Sequence, residues 1–424
     1  MSDAAALDVF DRRESEVRGY IRAFPTVFDR ASGSTLVDVD GHEYLDFFAG
    51  AGVLNYGHNN PAFTRALVEY LEHGGIIHGL DMATSAKKAF IEAFEQYVLT
   101  PRGLDHKLQF TGPTGANAVE AALKVARQAT GRSNVVAFTN AFHGLSIGAL
   151  AATGNSTYRD AAGIALGDIT RLPYDGYLGA DVDTLDLLEK MLDDPGSGLD
   201  LPAAVIVEAV QGEGGINVAS VSWLQRLREL TAARGILLIL DEIQAGVGRT
   251  GTFFAFEHAG IVPDIVTVSK SISGSGLPMS LVLLRPGVDV WKPGAHTGTF
   301  RGNNLAFVSA RVALETYWAD SAFTDGVAAK SALLRAELDR IAADHSELGL
   351  APRGRGLMYG LACDGDRTLA GRISAEAFRR GLIIETSGAF DEVLKFLPAL
   401  TITDDELARG LAIVRASLDA VLAR

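Results

Sequence analysis

Two residues set 29 apart stand where buried-strand patterns end: Asp241 closes the apolar run ILLIL, and Lys270 closes DIVTVSK. A carboxylate to keep a pyridine nitrogen protonated and an amine to condense with an aldehyde are what pyridoxal phosphate chemistry asks of a protein. An ion pair at about 3 Å in an effective dielectric near 20 contributes roughly 5 kcal/mol before desolvation, enough to fix the ring proton. Taken singly, Asp241 also fits a carboxylate capping the next turn, and Lys270 a surface lysine. The surroundings of Lys270 argue for more. It precedes the small-residue stretch SISGSG, where a ring has room and a buried amine can lose its proton, form a Schiff base and later shuttle a proton between carbons.

Other segments supply compatible groups. QFTGPTGANAVEAALKVARQATG reads as strand, glycine-rich turn and helix. The N–H groups at Thr114, Gly115 and Ala116 then suit a phosphate, a plain tight turn being the alternative. The GK[ST] of a nucleotide-binding loop is missing. Phe142-His143-Gly144 follows the strand pattern VVAFT, where an aromatic can stack on a ring or simply fill a core. Glu208 and Glu213 bracket the loop EAVQGEGG. Gly246–Gly251 matches G-x-G-x-x-G, but it does not follow its strand directly and opens no clear helix, so dinucleotide binding is not expected.

These residues need a scaffold that places strand ends together. The runs KLQF, VVAFT, AAVIVEAV, ILLILDE, DIVTVS and MSLVLL alternate with helical patterns, which predicts an α/β fold with a mainly parallel sheet between helices. Ligands in such sheets sit beyond the carboxyl ends of the strands. Three parts are expected: residues 1–55 contributing to a small domain and the active-site entrance, 56–307 forming a large cofactor-binding domain, and 308–424 forming the rest of the small domain. A chain of 424 residues, 48% hydrophobic, can build both cores. A formal net charge of -14 argues against a general nucleic-acid surface. The single cysteine, Cys363, cannot form an intrachain disulfide. Neither a signal-peptide pattern nor a long apolar run is seen, so a soluble cytoplasmic enzyme with no membrane partner and no metal is expected.

In combination, EAVQGEGG, LDEIQAGVGRTG, VSKSISG and GTFRGNNLA, in this order, resemble the class III, ornithine and GABA type, aminotransferases of PLP fold type I. The likeness runs from YLDFFAGAGVLNYGHNNP to LPALTITDDEL. It implies a seven-stranded, mainly parallel sheet and pyridoxal 5'-phosphate as cofactor. It assigns Lys270 as the lysine that carries the cofactor and Asp241 as partner of the ring nitrogen. Ile243 and Phe142 fall on opposite ring faces, Gln244 near the ring hydroxyl, and Gly115 and Ala116 at the phosphate. Thr299 reaches the phosphate of a neighbouring subunit, implying at least a homodimer.

Two departures bear on substrate. Where relatives have an arginine in an I-R-x-x-P-like motif, this chain has Lys395 in VLKFLPAL, facing Glu213; lysine keeps the charge without the planar fork. Where relatives often have Arg after Phe-His-Gly, this chain has Leu145. With GPTGANAVEAALK, GIIHGLDMATSAK and GTFRGNNLAF, these features resemble the diaminobutyrate:2-oxoglutarate aminotransferases of ectoine biosynthesis. That resemblance implies amino transfer between glutamate and aspartate 4-semialdehyde, giving 2,4-diaminobutyrate and 2-oxoglutarate. Arg22, in GYIRAFP, is a candidate for holding the distant substrate carboxylate, a surface arginine being the alternative. Another class III ω-amino acid aminotransferase and a non-catalytic binding protein on the same fold are the competing readings.

Overall fold

The computed structural model describes residues 3–424. Seven short strands form a central sheet in the order Lys107–Phe110, Leu281–Leu284, Ile265–Val268, Leu237–Asp241, Ala204–Val207, Val135–Phe138 and Ile169–Leu172. Six run in one direction and Leu281–Leu284 opposes both its neighbours. Four of the strands are buried along their whole length. Helices must therefore cover both faces, which is why these stretches read as unbroken apolar runs. Ile169–Leu172 escapes that criterion because Thr170 and Arg171 occupy its middle, a composition tolerated at a sheet edge.

Helix Gly115–Thr130 lies against this sheet through Ala118, Ala121, Ala122 and Val125. Thr114 sets its start, the side-chain oxygen accepting the Asn117 N–H at 3.3 Å, and Gly131 ends it at φ 69°. The strand Lys107–Phe110 thus delivers the chain, through a four-residue turn, to a helix N-terminus at the carboxyl edge of the sheet.

The two ends of the chain meet. Phe28–Ser32, Thr35–Asp38 and Glu43–Asp46 form an antiparallel sheet completed by Leu382–Ile383. A second antiparallel sheet orders Ala351–Arg355, Met358–Ala362, Val393–Phe396 and Glu385–Ser387. Leu45, Phe47, Leu338, Ile373, Phe396 and Val414 share one apolar cluster, bringing the first strands onto the late helices Ala322–Asp344 and Asp404–Leu422.

The G-x-G-x-x-G segment has a different use from nucleotide binding. It forms a tight turn in which Val247 and Gly248 donate to the Phe253 and Thr252 carbonyls. Arg249 at its tip is fully buried. Its guanidinium donates to the carbonyls of Leu357 (2.9 Å) and Pro398 (2.6 Å) and to Asn55 Oδ1 (2.6 Å). One side chain therefore ties the turn after Asp241 to the second antiparallel sheet and to the leading segment. Arg249→Ala removes donors from three buried acceptors and is expected to lower the unfolding free energy by about 3 kcal/mol or more. Denaturant unfolding checks this, and a loss below about 1 kcal/mol would contradict the role.

Candidate active site

The carboxyl ends of the parallel strands open into a cleft of about 620 Å³ lined by Gly115, Ala116, Phe142, His143, Glu208, Glu213, Asp241, Ile243, Gln244 and Lys270, among others. Ten of the residues singled out from the sequence thus share one concavity, each just beyond a strand or at the helix it feeds.

Asp241 is the last residue of its strand and buried. Its Oδ1 accepts from Thr267 Oγ1 at 3.0 Å and from the Ile243 N–H at 3.1 Å; its Oδ2 lies 2.7 Å from His143 Nδ1. Burial works against protonating His143, but the hydrogen bond and charge of Asp241 outweigh it and raise the imidazole's pKa. His143 Nε2 is buried with no partner. Glu208 is also buried, its Oε2 accepting the Phe142 N–H at 3.0 Å; burial is the main cause lifting its pKa to about 7.

Lys270 has φ 53°, a left-handed conformation rare outside glycine. The next residue, Ser271, donates to the carbonyls of Gly52 and Val53 and accepts the Asn55 N–H, holding that strained step in place. Burial lowers the Lys270 pKa; Glu213 opposes, Lys395 adds repulsion, and Glu385 and Asp241 oppose more weakly. Among the described residues, the amine has no hydrogen-bond or ion-pair partner.

Gln244 donates to Glu213 Oε1 (2.9 Å) and to the Ala51 carbonyl (3.0 Å), while its own Oε1 is buried without a donor. A Cβ at residue 212 would overlap that oxygen, so any larger residue there would displace the Gln244 side chain. Lys395 is fully buried and lies between two carboxylates, Glu213 Oε1 at 2.8 Å and Glu385 Oε1 at 2.9 Å. Burial resists the charge on Lys395, but the two carboxylates overcome it and push its pKa up. Burial likewise raises Glu213 on its own, yet Lys395, Lys270 and the hydrogen bonds from Lys395 and Gln244 hold it well below the usual carboxylate range.

Five residues stand apart from the cleft lining, Lys395 among them, fully buried beside the lining residue Glu213. Thr114 spends its hydroxyl on capping the helix. Leu145 is 53% exposed. Thr299 is exposed in a short turn and its carbonyl accepts from His78 Nε2 at 2.7 Å. Arg22 is half-exposed, paired with Glu16 and donating to the Glu16 and Arg18 carbonyls rather than facing the cleft.

Glu385 was not among the residues the motifs single out. Its signal is a register: in the hairpin IIETSGAFDEVLKF, Glu385 pairs directly opposite Lys395. Tyr20 joins it, donating from Oη to Glu385 Oε2 at 3.2 Å. Tyr158 packs edge-on against Phe142 with centroids 5.5 Å apart.

These residues fit pyridoxal phosphate. An amine partnerless among the described residues and only partly exposed stands in the same cleft as a carboxylate, a helix N-terminus, and an orphaned Gln244 oxygen able to receive a ring hydroxyl. An α/β sheet bearing this set on its carboxyl edge defines a pyridoxal phosphate-dependent transferase of amino groups. The family described as Aminotransferase class-III matches residues 18–418, and the chain belongs to it. A Bordetella parapertussis protein named diaminobutyrate--2-oxoglutarate transaminase is 62% identical over 97% of this chain and 95% of its own. A Vibrio cholerae protein of the same name is 58% identical over 96% of this chain and 98% of its own. An ornithine aminotransferase structure from Toxoplasma gondii, with partial occupancy of PLP at its active site, superposes with a TM-score of 0.86 at 29% identity, covering 100% of this chain and 96% of that one.

The buried triad gives a test with a sign. In Lys395→Met, two buried carboxylates lose their shared cation and repel one another, so both carboxyl pKa values rise above the unfolded range. Groups raised in this way favour folding at low pH and oppose it as the pH climbs through their folded values. The variant is expected to lose about 3–5 kcal/mol at pH 8 and less at pH 5. A deficit in denaturant unfolding that is equal or smaller at pH 8 would contradict the charge assignment.

Proposed function

We propose that the chain transfers an amino group between glutamate and L-aspartate 4-semialdehyde, giving L-2,4-diaminobutyrate and 2-oxoglutarate. The near-full-length identity to two proteins named for that reaction carries the proposal. The site supports it through Lys395 and the exposed Leu145, where an arginine fork for a second carboxylate is missing. We further take the product to feed ectoine formation, in the cytoplasm. Among the described residues no helix is long and apolar enough to cross a membrane.

When bound, pyridoxal phosphate supplies an aldehyde for the amine and a protonated ring that withdraws electrons from the carbon bearing it. In this reading Asp241 faces the ring nitrogen, with His143, Thr267 and the Ile243 N–H fixing the carboxylate's direction. Phe142 and Ile243 confine the ring, Gln244 meets its hydroxyl, and Thr114, Gly115 and Ala116 offer the helix N-terminus to the phosphate. Lys270 Nζ would take the proton from the substrate carbon bearing the reacting amine and deliver it to the carbon that was the cofactor's aldehyde. Glu208 steadies the Phe142 backbone. Lys395 and Glu213 handle substrate carboxylates. Arg22 can serve a distant carboxylate only after leaving Glu16.

A homodimer belongs to the same proposal. Ile76, Ile77, Met82 and Phe300 are each more than half exposed and form one apolar patch, joined by hydrogen bonds from Asn304 to Ile77 and from Gly79 to Gly302. Thr299 lies in that patch, from which it could serve a partner's phosphate site. The division at about residues 55 and 307 is supported by the apolar cluster that Leu45 and Phe47 share with residues 327–421.

Purified protein given 2,4-diaminobutyrate and 2-oxoglutarate is expected to form glutamate at least tenfold faster than with ornithine or 4-aminobutyrate as donor. Lys270→Ala is expected to lower turnover by about 10³-fold or more. Equal or faster turnover with either other donor would contradict the substrate reading.

A further inference from the structure

The Lys395 cluster holds one carboxylate more than its lysine needs. Glu213 alone, whose Oε1 accepts from Lys395 at 2.8 Å and from Gln244 at 2.9 Å, neutralises the ammonium. Glu385, 6% exposed, adds a second negative charge to the same dry space. Burying an extra carboxylate costs several kcal/mol unless another cation meets it. Among the described residues no second cation contacts it. Lys270 is close enough for its charge to act on Glu385 but makes no contact with it. Among the described residues, Glu385 Oε2 receives the Tyr20 hydroxyl alone, and Oε1, although 2.9 Å from Lys395, lacks a donor aimed at it. Lys395 for its part donates a hydrogen bond to Glu213 and makes only an ion-pair contact with Glu385, which leaves donor capacity unused. The cluster thus offers one spare donor and one under-satisfied carboxylate side by side, with a net charge of minus one. An amino acid end group, carboxylate plus ammonium, is complementary to that arrangement.

We propose that Glu385 is a specificity-determining residue that receives the non-reacting ammonium of a diamino acid while the spare Lys395 N–H takes the adjoining carboxylate. This rests on the substrate reading above and names how that substrate is told from a monoamine of the same length. 2,4-Diaminobutyrate carries the second ammonium; 4-aminobutyrate presents the same reacting amine and a carboxylate without it. Burial, followed by the opposing pull of Lys395 and the repulsion of Glu213, lifts the Glu385 pKa to about 7, consistent with a carboxylate still short of positive charge. Tyr20, 53% exposed and tilted against Phe48 with ring centroids 4.9 Å apart, holds Oε2 and so sets the direction of that carboxylate.

The test uses the holoenzyme and the variants Glu385→Gln and Glu385→Asp. Each is mixed with 2,4-diaminobutyrate or 4-aminobutyrate in single-turnover half-reactions followed by cofactor absorbance. Their concentration dependence gives dissociation constant and rate constant separately. In the wild type, 2,4-diaminobutyrate is preferred; in Glu385→Gln the preference ratio falls about 10- to 100-fold, chiefly in the dissociation constant. Glu385→Asp, which keeps the charge, retains more of the ratio than Glu385→Gln does. A ratio unchanged in Glu385→Gln overturns the proposal, whether both substrates slow together or neither does. A wild type with no preference overturns the substrate reading as well, so the two failures are distinguishable. Should Glu385→Gln not fold, Glu385→Asp decides alone: its longer reach to the ammonium lowers the ratio severalfold, and an unaltered ratio overturns the assignment.

Discussion

The proposed chemistry depends on keeping two lysines in opposite protonation states, Lys270 in the cleft lining and Lys395 buried beside Glu213. Lys270 must offer a neutral amine, and Lys395 must stay an ammonium, although burial pushes both toward losing their protons. What separates them is the placement of carboxylates. Lys395 lies between Glu213 and Glu385, whereas Lys270 touches none. Asp241 is committed to His143, Thr267 and the Ile243 N–H; Glu208 is committed to Phe142 and lifted to about 7 by burial. Each nearby carboxylate therefore has its own partners, and the reactive amine is left with its field but not its contact.

The architecture follows from that separation. Lys270 and Asp241 come from neighbouring parallel strands, so the register that pairs Asp241 with Thr267 also fixes the spacing between strand end and reactive lysine. The Lys395–Glu385 pair comes from a different sheet, built on an antiparallel hairpin. Bringing the two sheets to one cleft needs a rigid joint. Arg249 supplies one, reaching from the turn after Asp241 to Leu357, Pro398 and Asn55. Ser271 supplies another, binding the Lys270 step to the Gly52-Val53 backbone, beside the left-handed Ala49 and Ala51. Strain at Lys270 is thereby confined by hydrogen bonds on the side away from the cleft.

Much of the large sheet could be read from the chain because strands buried on both faces leave continuous apolar runs with no competing period. The same runs pointed to Asp241, Glu208 and Lys270, since a polar residue at the end of such a run stands out. Ile169–Leu172 was not readable on that ground, lying at the edge with Arg171 in its middle. Glu385 was hidden for another reason: its meaning comes from cross-strand register, and the loop between the paired strands, Gly388 to Glu392, gives no two-residue turn signal that would set it. Arg249 sat inside a glycine pattern that the sequence reading set aside as a dinucleotide site, and only the structure reveals three carbonyl-type acceptors as its partners. Arg22 illustrates the converse limit: a basic residue in a suggestive segment finds Glu16 six residues earlier, a local pairing that spacing alone does not rank.

The central claim is that the amine at the end of the substrate remote from its carboxylate is the one this cleft removes, with Lys270 acting there and Lys395 and Glu385 holding the amino acid end. Its most direct test is to supply 2,4-diaminobutyrate labelled with ¹⁵N at C4 only, with unlabelled 2-oxoglutarate, and to locate the label by mass spectrometry. The account predicts ¹⁵N in the glutamate formed and unlabelled nitrogen in the semialdehyde product. Unlabelled glutamate, with the label retained in a 4-amino-2-oxo acid in place of the semialdehyde, would mean that the α-amine reacts and would contradict it.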